Sequence, residues 1–258
     1  MATFPAIYKK FLSQKVFTIE EIKAAFPNST ASSLYVQVSN LVKRGYIGKV
    51  KRGIYYIIPP DADPVSYSPD ALIIASKLTS DAKLIYSGAI LALKIYHNFP
   101  YVIRITGRKK VRELSWGEFK IKFHKVPAFD LGFKQATIFD VPIMVARKER
   151  VIIDGIFRPK FVGGFDEYLR IVDKIEAIDP EEVMEYVLAY GRAGLIQKVG
   201  LILEINRDRW NVSEKILKIL ARQKTAYPIP LDPSSKSRRL VSRWNLWVSG
   251  RFLERVKE

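Results

Sequence analysis

Near the N-terminus, the spacing of apolar residues changes from a helical period to two strand-like runs. Four apolar residues lie at i, i+4, i+7 and i+8 and therefore share one helical face: Leu34, Val38, Leu41 and Val42. Thr30 can cap the amides that a helix leaves free at its start, and Gly45 can adopt the left-handed conformation that ends one. Apolar runs at residues 46–50 and 54–58 flank a turn that contains a glycine. The pattern predicts a helix over residues 30–44, followed by a tight hairpin.

Two more helices are predicted before this one. Residues 4–14 place apolar side chains at helical intervals. Thr18 and Glu21 have the spacing of a capping box at the start of the next helix, which Pro27 ends. The first 58 residues therefore follow the order helix, helix, helix, hairpin, with a short turn between the second and third helices. This order is typical of a winged helix-turn-helix domain.

The rest of the pattern predicts a linker and a larger second domain. Residues 59–70 contain four prolines and three aspartates, which indicates an extended linker. Beyond the linker, helices are predicted at residues 71–78, 87–96, 149–157, 165–175, 183–190, 193–204 and 213–223, and strands at residues 101–106, 119–126, 141–146 and 238–248. The predicted fold class is α+β. It comprises a winged helix-turn-helix over residues 1–58, the linker, and a mixed α/β C-terminal domain over residues 71–258, in which a helical bundle packs on a small sheet.

The polar face of the predicted helix 30–44 carries short, hydrogen-bonding side chains. A helix that is merely solvated usually carries Glu and Lys there, because they are better helix formers. Ser, Gln and Asn side chains can reach base edges, and Tyr and Ser side chains can reach phosphates. The candidate DNA-contacting residues are Thr30, Ser32, Ser33, Tyr35, Gln37, Asn40, Lys43 and Arg44 on the helix, and Lys49, Lys51 and Arg52 on the hairpin. The alternative is a helix and a hairpin that serve only for packing.

The charge of the chain favours a polyanionic partner. The formal net charge is +17 over 258 residues, and residues 1–60 carry nine basic but only two acidic side chains. Double-stranded DNA, RNA and an anionic membrane would each suit such a surface. No apolar run reaches the ~18 residues of a membrane span, and the N-terminus lacks the pattern of a signal peptide. We therefore expect a cytoplasmic protein with no membrane partner.

The residues that usually carry catalysis are scarce. There is no cysteine, which excludes disulfides and thiolate metal sites, and the two histidines, His97 and His124, are isolated in the sequence. No phosphate-binding Gly-rich loop is present. We therefore expect no cofactor, no metal and no enzymatic activity.

The sequence is also compatible with two functions other than DNA-binding regulation. Glu118-Phe119-Lys120 on a predicted strand has the Glu-x-Lys spacing of metal-dependent nucleases, with Asp81 or Glu113 as a second acid to hold the metal. An alternating strand with charged outer residues explains the same spacing more simply. A general RNA-binding or protein-interaction module, with a purely structural winged helix, is the other alternative. The basic stretch at residues 107–114 favours a solvated loop, with nucleic-acid contact as its alternative.

Three segments of the C-terminal half carry a resemblance to a known family. They are VPIMVARKERVIIDGI at residues 141–156, GGFDEYLRIV at residues 163–172, and YVLAYGRAGLIQKVGLILE at residues 186–204. Tyr86-Ser87-Gly88-Ala89 and Tyr96-His97-Asn98 add to the likeness. In this order, and following a winged helix and a linker, the segments resemble the AbiEi antitoxin family over nearly the whole chain. Members of that family are antitoxins and transcriptional autorepressors of type IV toxin–antitoxin systems.

The resemblance carries expectations about residues and partners. The helix 30–44 would recognise operator DNA, and the hairpin would contact its backbone. Glu149, Arg150 and Asp154 match the family's "ER…D" motif, which implies a structural role in a buried polar network between helices. The implied functional partner is a nucleotidyltransferase toxin that forms no stable complex with the antitoxin. Since winged-helix repressors usually meet paired half-sites, we also expect the protein to bind its own operator as two copies.

Overall fold

A computed structural model of the protein describes residues 5–233 and 239–255, so that residues 4 and 238, at the edges of two predicted elements, lie outside it. The fold is α+β, as predicted. The chain divides into two compact units. The first comprises Met1–Leu84, Tyr101–His124 and Gln135–Val145, and the second comprises Ile85–Pro100, Lys125–Lys134 and Ala146–Glu258. Each unit is therefore assembled from separate stretches of sequence.

Residues 5–58 of the first unit form a small helical and β-sheet module, which we call the N-terminal module. Its elements are α1 (Ala6–Phe11), β1 (Val16–Thr18), α2 (Ile19–Ala25), α3 (Ala31–Lys43), β2 (Ile47–Lys51) and β3 (Ile54–Ile57). The predicted capping box at Thr18 is confirmed, since the Thr18 amide donates to Glu21 Oε2 at 2.7 Å and the Glu21 amide donates to Thr18 Oγ1 at 3.2 Å. The buried stripe predicted for α3 is also present and joins one core.

A three-stranded sheet in the order β1-β3-β2 closes the N-terminal module. Strand β1 was not predicted, because three residues are too few to show an alternating pattern. It is a strand because it pairs antiparallel with β3, with Thr18 opposite Ile54. The hairpin turn contains Gly53 at φ +84°, which is the left-handed conformation that glycine adopts without strain.

Beyond the N-terminal module, the first unit is built mainly from one helix and a six-stranded sheet. Its elements are α4 (Ala71–Ser76), β4 (Lys83–Ile85), β5 (Val102–Thr106), β6 (Leu114–Trp116), β7 (Phe119–Phe123), β8 (Phe133–Ile138) and β9 (Val141–Ala146), with the strands in the order β6-β7-β5-β4-β9-β8. Strand β4 pairs parallel with β9, β5 pairs parallel with β7, and β6 pairs antiparallel with β7. Strands β4, β6 and β8 were not predicted. The turn before β9 places Phe139 and Asp140 at positive φ, without the Asn-Gly signal that usually marks such a turn.

The proline-rich residues 59–70 lie in the first unit, together with the N-terminal module and the sheet. Trp116 Nε1 donates a hydrogen bond to the carbonyl of Pro69 at 3.1 Å. The rings of Tyr56 and Tyr67 pack with centroids 6.1 Å apart. These contacts attach residues 59–70 to the sheet and the hairpin. That these residues form a linker between two domains stays a prediction.

The second unit is mainly helical. Its elements are α5 (Ser87–Leu93), α6 (Lys148–Phe157), α7 (Phe165–Asp173), α8 (Pro180–Ala189), α9 (Ala193–Ile205), α10 (Glu214–Ala221), β10 (Ile229–Pro230), β11 (Arg239–Val241), β12 (Leu246–Val248) and α11 (Gly250–Arg255). Asp179 caps α8 by accepting hydrogen bonds from the amides of Glu181 and Glu182, as the Asp-Pro-Glu-Glu pattern indicates. The single strand predicted at residues 238–248 is wrong, because a turn with Asn245 at φ +50° separates β11 from β12. Among the described residues, no helix combines the length and the hydrophobicity needed to span a bilayer.

Candidate nucleic-acid interface

Helix α3 separates a buried stripe from an outer polar face. Leu34, Val38 and Leu41 are buried in the core of the N-terminal module. Thr30 caps the helix, with its Oγ1 accepting a hydrogen bond from the Ser33 amide at 3.3 Å. All eight candidate DNA-contacting residues of this segment are exposed: Thr30, Ser32, Ser33, Tyr35, Gln37, Asn40, Lys43 and Arg44. The prediction that these side chains lie on the outer face of the helix is therefore confirmed.

The outer face of α3 is free of negative charge. No residue of Ala31–Lys43 is acidic, and the basic side chains Lys43 and Arg44 lie at its C-terminal end. Gln37 Nε2 donates a hydrogen bond to Ser33 Oγ at 3.3 Å, and both side chains are exposed. The surface thus offers hydrogen-bonding groups along most of its length and cations at one end. Such a surface is chemically suited to base edges and phosphates.

The structure adds Val36 to this face. Val36 is 61% exposed and Tyr35 is 46% exposed, so two large side chains stand outward beside the hydrogen-bonding ones. An exposed apolar side chain on such a helix can contact the methyl group of thymine. A helical wheel would have identified Val36, because it lies off the spacing that buries Leu34 and Val38.

The hairpin residues differ in how they are placed. Lys49 and Arg52 are exposed, whereas Lys51 is half-buried, and burial lowers the pKa of its ammonium group. The Ile19 amide donates to the carbonyl of Gly53 at 2.9 Å, which holds the turn against the start of α2. Lys49 and Arg52 are therefore open to a partner, and both Lys51 and Arg52 line a cavity.

In the second unit, Arg150 and Asp154 lie at the centre of a buried polar network. Arg150 is fully buried, and its Nε lies 3.1 Å from Asp154 Oδ2. The Arg150 guanidinium also donates to three carbonyl oxygens, each at 2.7 Å: those of Pro127, Ala128 and Leu131. Tyr190 donates its hydroxyl proton to Asp154 Oδ1, and burial, followed by the Asp154 carboxylate, raises the pKa of this phenol. The network is internally satisfied and joins α6 to residues 127–131.

Glu149 connects α6 to the start of α8. Its Oε1 accepts a hydrogen bond from the Asp179 amide at 3.1 Å, and its Oε2 lies 3.6 Å from Arg147 Nε. Arg147 also pairs with Glu182 on α8 at 3.2 Å. Because each of these contacts is internal to the second unit, the Glu149 carboxylate is committed to holding the two helices together.

The two acids considered as second metal ligands of a nuclease site, Asp81 and Glu113, have other partners. Glu113 pairs with Lys122 at 3.2 Å, and Asp81 Oδ2 accepts a hydrogen bond from the Arg108 amide at 2.8 Å. Glu118 is exposed in the turn between β6 and β7, and Lys120 is exposed on β7. Within residues 5–233 and 239–255, no three His, Cys, Asp or Glu side chains form a group that could hold a metal ion.

Comparison with known proteins finds a similar fold among solved structures. A scan against protein-family models gave no match, and a search of curated protein sequences gave none. Among solved structures, the chain is similar to the crystal structure of the RV2827C protein from Mycobacterium tuberculosis, with a TM-score of 0.59 and 14% sequence identity. The similarity covers 100% of this chain and 97% of that one. At this identity the likeness is one of fold alone, and it supports the α+β class over the whole length of the chain.

Proposed function

We propose that this protein is a sequence-specific DNA-binding transcriptional autorepressor. The observation that carries the proposal is the outer face of α3, which has no acidic residue and displays hydrogen-bonding side chains that end in two cations. Direct recognition in the major groove needs a helix with such a face, because base edges present donors, acceptors and methyl groups. A second copy of the chain would place a second α3 on the other half of a paired site.

The elements around α3 support the same proposal. Helix α2, helix α3 and the β2–β3 hairpin follow one another in the order of a winged helix-turn-helix, with β1 completing the sheet. In that arrangement the second helix of the pair enters the groove and the hairpin contacts the backbone. Lys49 and Arg52 are the exposed hairpin cations available for phosphate contact.

The decisive experiment compares two duplexes. Binding of the purified full chain to the DNA upstream of its own gene, and to an unrelated duplex of equal length, is measured by gel shift at 50 and 200 mM salt. We expect a preference for the upstream DNA that survives the higher salt, because base contacts do not depend on counterion release as phosphate contacts do. Equal binding that is lost together at the higher salt would reduce the function to general attraction by charge.

Variants of α3 separate base recognition from charge. Gln37→Ala and Asn40→Ala should relax the sequence preference while leaving binding to the unrelated duplex nearly unchanged. Val36→Asp should weaken binding to the upstream DNA by at least about tenfold, because it places a negative charge on the proposed contact face. The matched control is Val65→Asp, which adds the same charge at a position that is 94% exposed and lies outside the N-terminal module. Equal loss in both variants would contradict the assignment of α3.

We propose further that the repressor serves as the antitoxin of a type IV toxin–antitoxin system. Support for this part is the resemblance of the C-terminal segments to the AbiEi family, whose implied functional partner is a nucleotidyltransferase toxin. The test is co-expression of this chain with a nucleotidyltransferase encoded next to its gene. Restored growth without co-purification of the two proteins is the expected result, and continued growth arrest would remove the antitoxin role while leaving the repressor role intact.

A further inference from the structure

A cavity of about 880 Å³ lies within the first unit, between the hairpin turn, helices α2 and α4, and strand β9. Its volume falls in the range of roughly 300–1,000 Å³ that is typical of small-molecule sites. We propose that this basic cavity binds a small phosphate ester that also carries an apolar group, such as a mononucleotide. Four cations line it: Lys51, Arg52, Lys77 and Lys109.

The charges of the basic cavity do not cancel internally. Of its two acids, Glu21 pairs with Lys77 at 2.6 Å, and Glu20 pairs with Lys23 at 3.0 Å. Three cations remain, and none has an acidic partner within the described parts of the chain: Lys51, Arg52 and Lys109. Lys51 is the most significant of these, because it is half-buried and burial lowers the pKa of its ammonium group. A bound anion would compensate the desolvation of this charge.

The wall that carries Lys109 is held in place by its neighbours. Asp81 Oδ2 accepts a hydrogen bond from the Arg108 amide at 2.8 Å, and Asp81 Oδ1 accepts one from Thr79 Oγ1 at 3.2 Å. A Cβ at Gly107 would lie 2.6 Å from Thr79 Cγ2, so only glycine lets the backbone approach this turn so closely. The cation at position 109 is therefore presented from an anchored loop.

The remaining lining residues determine the class of ligand. Apolar side chains line part of the basic cavity: Ala24, Leu78, Val111, Pro142, Ile143 and Met144. Hydroxyl groups line another part: Thr18, Ser76, Thr79 and Ser80. A lone inorganic anion would leave the apolar surface unused, whereas a phosphate ester with a flat apolar group would use both surfaces. Thr18, Ser76 and Thr79 already donate their hydroxyl protons to Glu21, to the Ile73 carbonyl and to Asp81. Toward a ligand, these three oxygens can therefore act only as acceptors.

Occupancy of the basic cavity would affect the hairpin. Arg52 lines the cavity and is also an exposed hairpin cation proposed to contact DNA phosphates. A phosphate that draws Arg52 and Lys51 into the cavity would withdraw them from DNA. The ligand would therefore lower DNA affinity, and this consequence rests on the proposed repressor function, whereas the binding site itself does not.

Calorimetric titration of the full chain with three probes tests the site. The probes are AMP, pyrophosphate and adenosine, which separate the combined ligand from its charge and from its apolar group. We expect AMP to bind with a Kd below about 100 μM and more tightly than either other probe. Lys109→Gln should weaken AMP binding at least fivefold, and the matched control Lys110→Gln, which removes a neighbouring cation outside the cavity lining, should not.

Three outcomes would overturn the proposal. Pyrophosphate that binds as tightly as AMP, and equally to both variants, would show diffuse charge attraction. Absence of AMP binding up to about 1 mM would show that the cavity has no such ligand. Loss of DNA binding as well as AMP binding in the Lys109→Gln variant would show that the cavity is part of the DNA contact surface. By contrast, AMP binding in a chain that fails to recognise its upstream DNA would preserve the site and reject only the repressor function.

Discussion

At the scale of single residues, the most consequential side chains are polar groups in the core. A buried cation is tolerated only when its charge and its donors are all satisfied, because desolvating it is costly. Arg150 meets this condition through Asp154 and three backbone carbonyls, and the rings of Phe133 and Tyr190 lie 4.5 and 5.5 Å from its guanidinium carbon. Tyr186, which is only 6% exposed, is a second polar residue in this unit.

Replacement of Arg150 should destabilise the protein strongly. Arg150→Met would leave Asp154 buried without its counter-charge and three carbonyls without a donor, which costs about 3–5 kcal/mol of unfolding free energy. Urea denaturation followed by circular dichroism measures the loss. Arg222→Met is the control, because Arg222 is exposed and its replacement should change the unfolding free energy by less than about 0.5 kcal/mol. A loss below about 1 kcal/mol for Arg150→Met would show that the network is not structural.

Tyr186 should make stability depend on alkaline pH. Burial, followed by the Glu182 carboxylate, raises the pKa of its phenol from 10.0 to about 12. Because the folded pKa is raised, the neutral phenol contributes stability below pH 10, and this contribution disappears as the pH rises through 12.

The test for Tyr186 compares the unfolding free energy of the wild type with that of a variant. The unfolding free energy of the wild type should fall relative to that of Tyr186→Phe as the pH is raised from 9 to 12, because phenylalanine cannot ionise. Tyr227→Phe serves as the control, since Tyr227 is 81% exposed. A constant difference between the wild type and Tyr186→Phe across this range would refute the assignment.

At the scale of elements, helices α3 and α9 have the same length but differ in how much of their surface is buried. Both helices have 13 residues. Helix α3 buries one stripe and leaves a hydrogen-bonding face outside, whereas α9 is buried along eight of its residues. Gly200 on α9 faces the fully buried indole ring of Trp244, so the backbone of α9 packs directly against an aromatic side chain.

Gly200→Ala should therefore destabilise the second unit. Alanine is the better helix former, by about 1 kcal/mol, but its Cβ would overlap the ring of Trp244. Trp244 is also held by a hydrogen bond from its Nε1 to Glu204, so the ring has little room to move. We expect a net loss of up to about 2 kcal/mol in urea denaturation, once an overpacking cost of about 1–3 kcal/mol is set against the helix preference of about 1 kcal/mol.

The control for this prediction is Gly250→Ala in α11. Within the described part of the chain, no atom of another residue lies within 4 Å of a Cβ placed there, so the substitution should be neutral or stabilising. If both substitutions stabilised the protein, the close packing of α9 on Trp244 would not matter energetically.

At the scale of the whole molecule, the dominant property is positive charge. The net charge is +17, and residues 1–60 contribute +7 of it in less than a quarter of the chain. Charge of this kind attracts any nucleic acid, and the resulting affinity falls with salt because bound counterions are released. Specific recognition must therefore be measured as a preference at fixed salt, as in the comparison of two duplexes.

Arg52→Ala should weaken binding to all duplexes alike. Loss of one phosphate contact should reduce the slope of log affinity against log salt by about 1. Fluorescence anisotropy with the unrelated duplex between 50 and 200 mM salt measures the slope. Arg222→Ala, which removes an exposed cation from the second unit, should leave the slope unchanged. An unchanged slope for Arg52→Ala would remove the hairpin from the DNA contact surface.

Local pattern determined a large part of the fold. The caps at Thr18 and Asp179, the buried stripe of α3 and the outward position of its polar side chains follow from spacings of three or four residues. Such features depend on hydrogen bonds and contacts within one helical turn, which the chain encodes wherever it folds. The sequence therefore identified the candidate DNA-contacting face of α3, apart from Val36.

Tertiary structure decided what depends on distant partners. Strand β1 has only three residues and is a strand because β3 pairs with it. Arg150 finds its carbonyl partners 19 to 23 residues earlier in the chain. The sequence predicts that Lys51 is a solvated hairpin cation, yet it is half-buried and lines a cavity together with residues from distant stretches of the first unit. Strand pairing and burial of charge are set by groups that only folding brings together, and no local pattern records them.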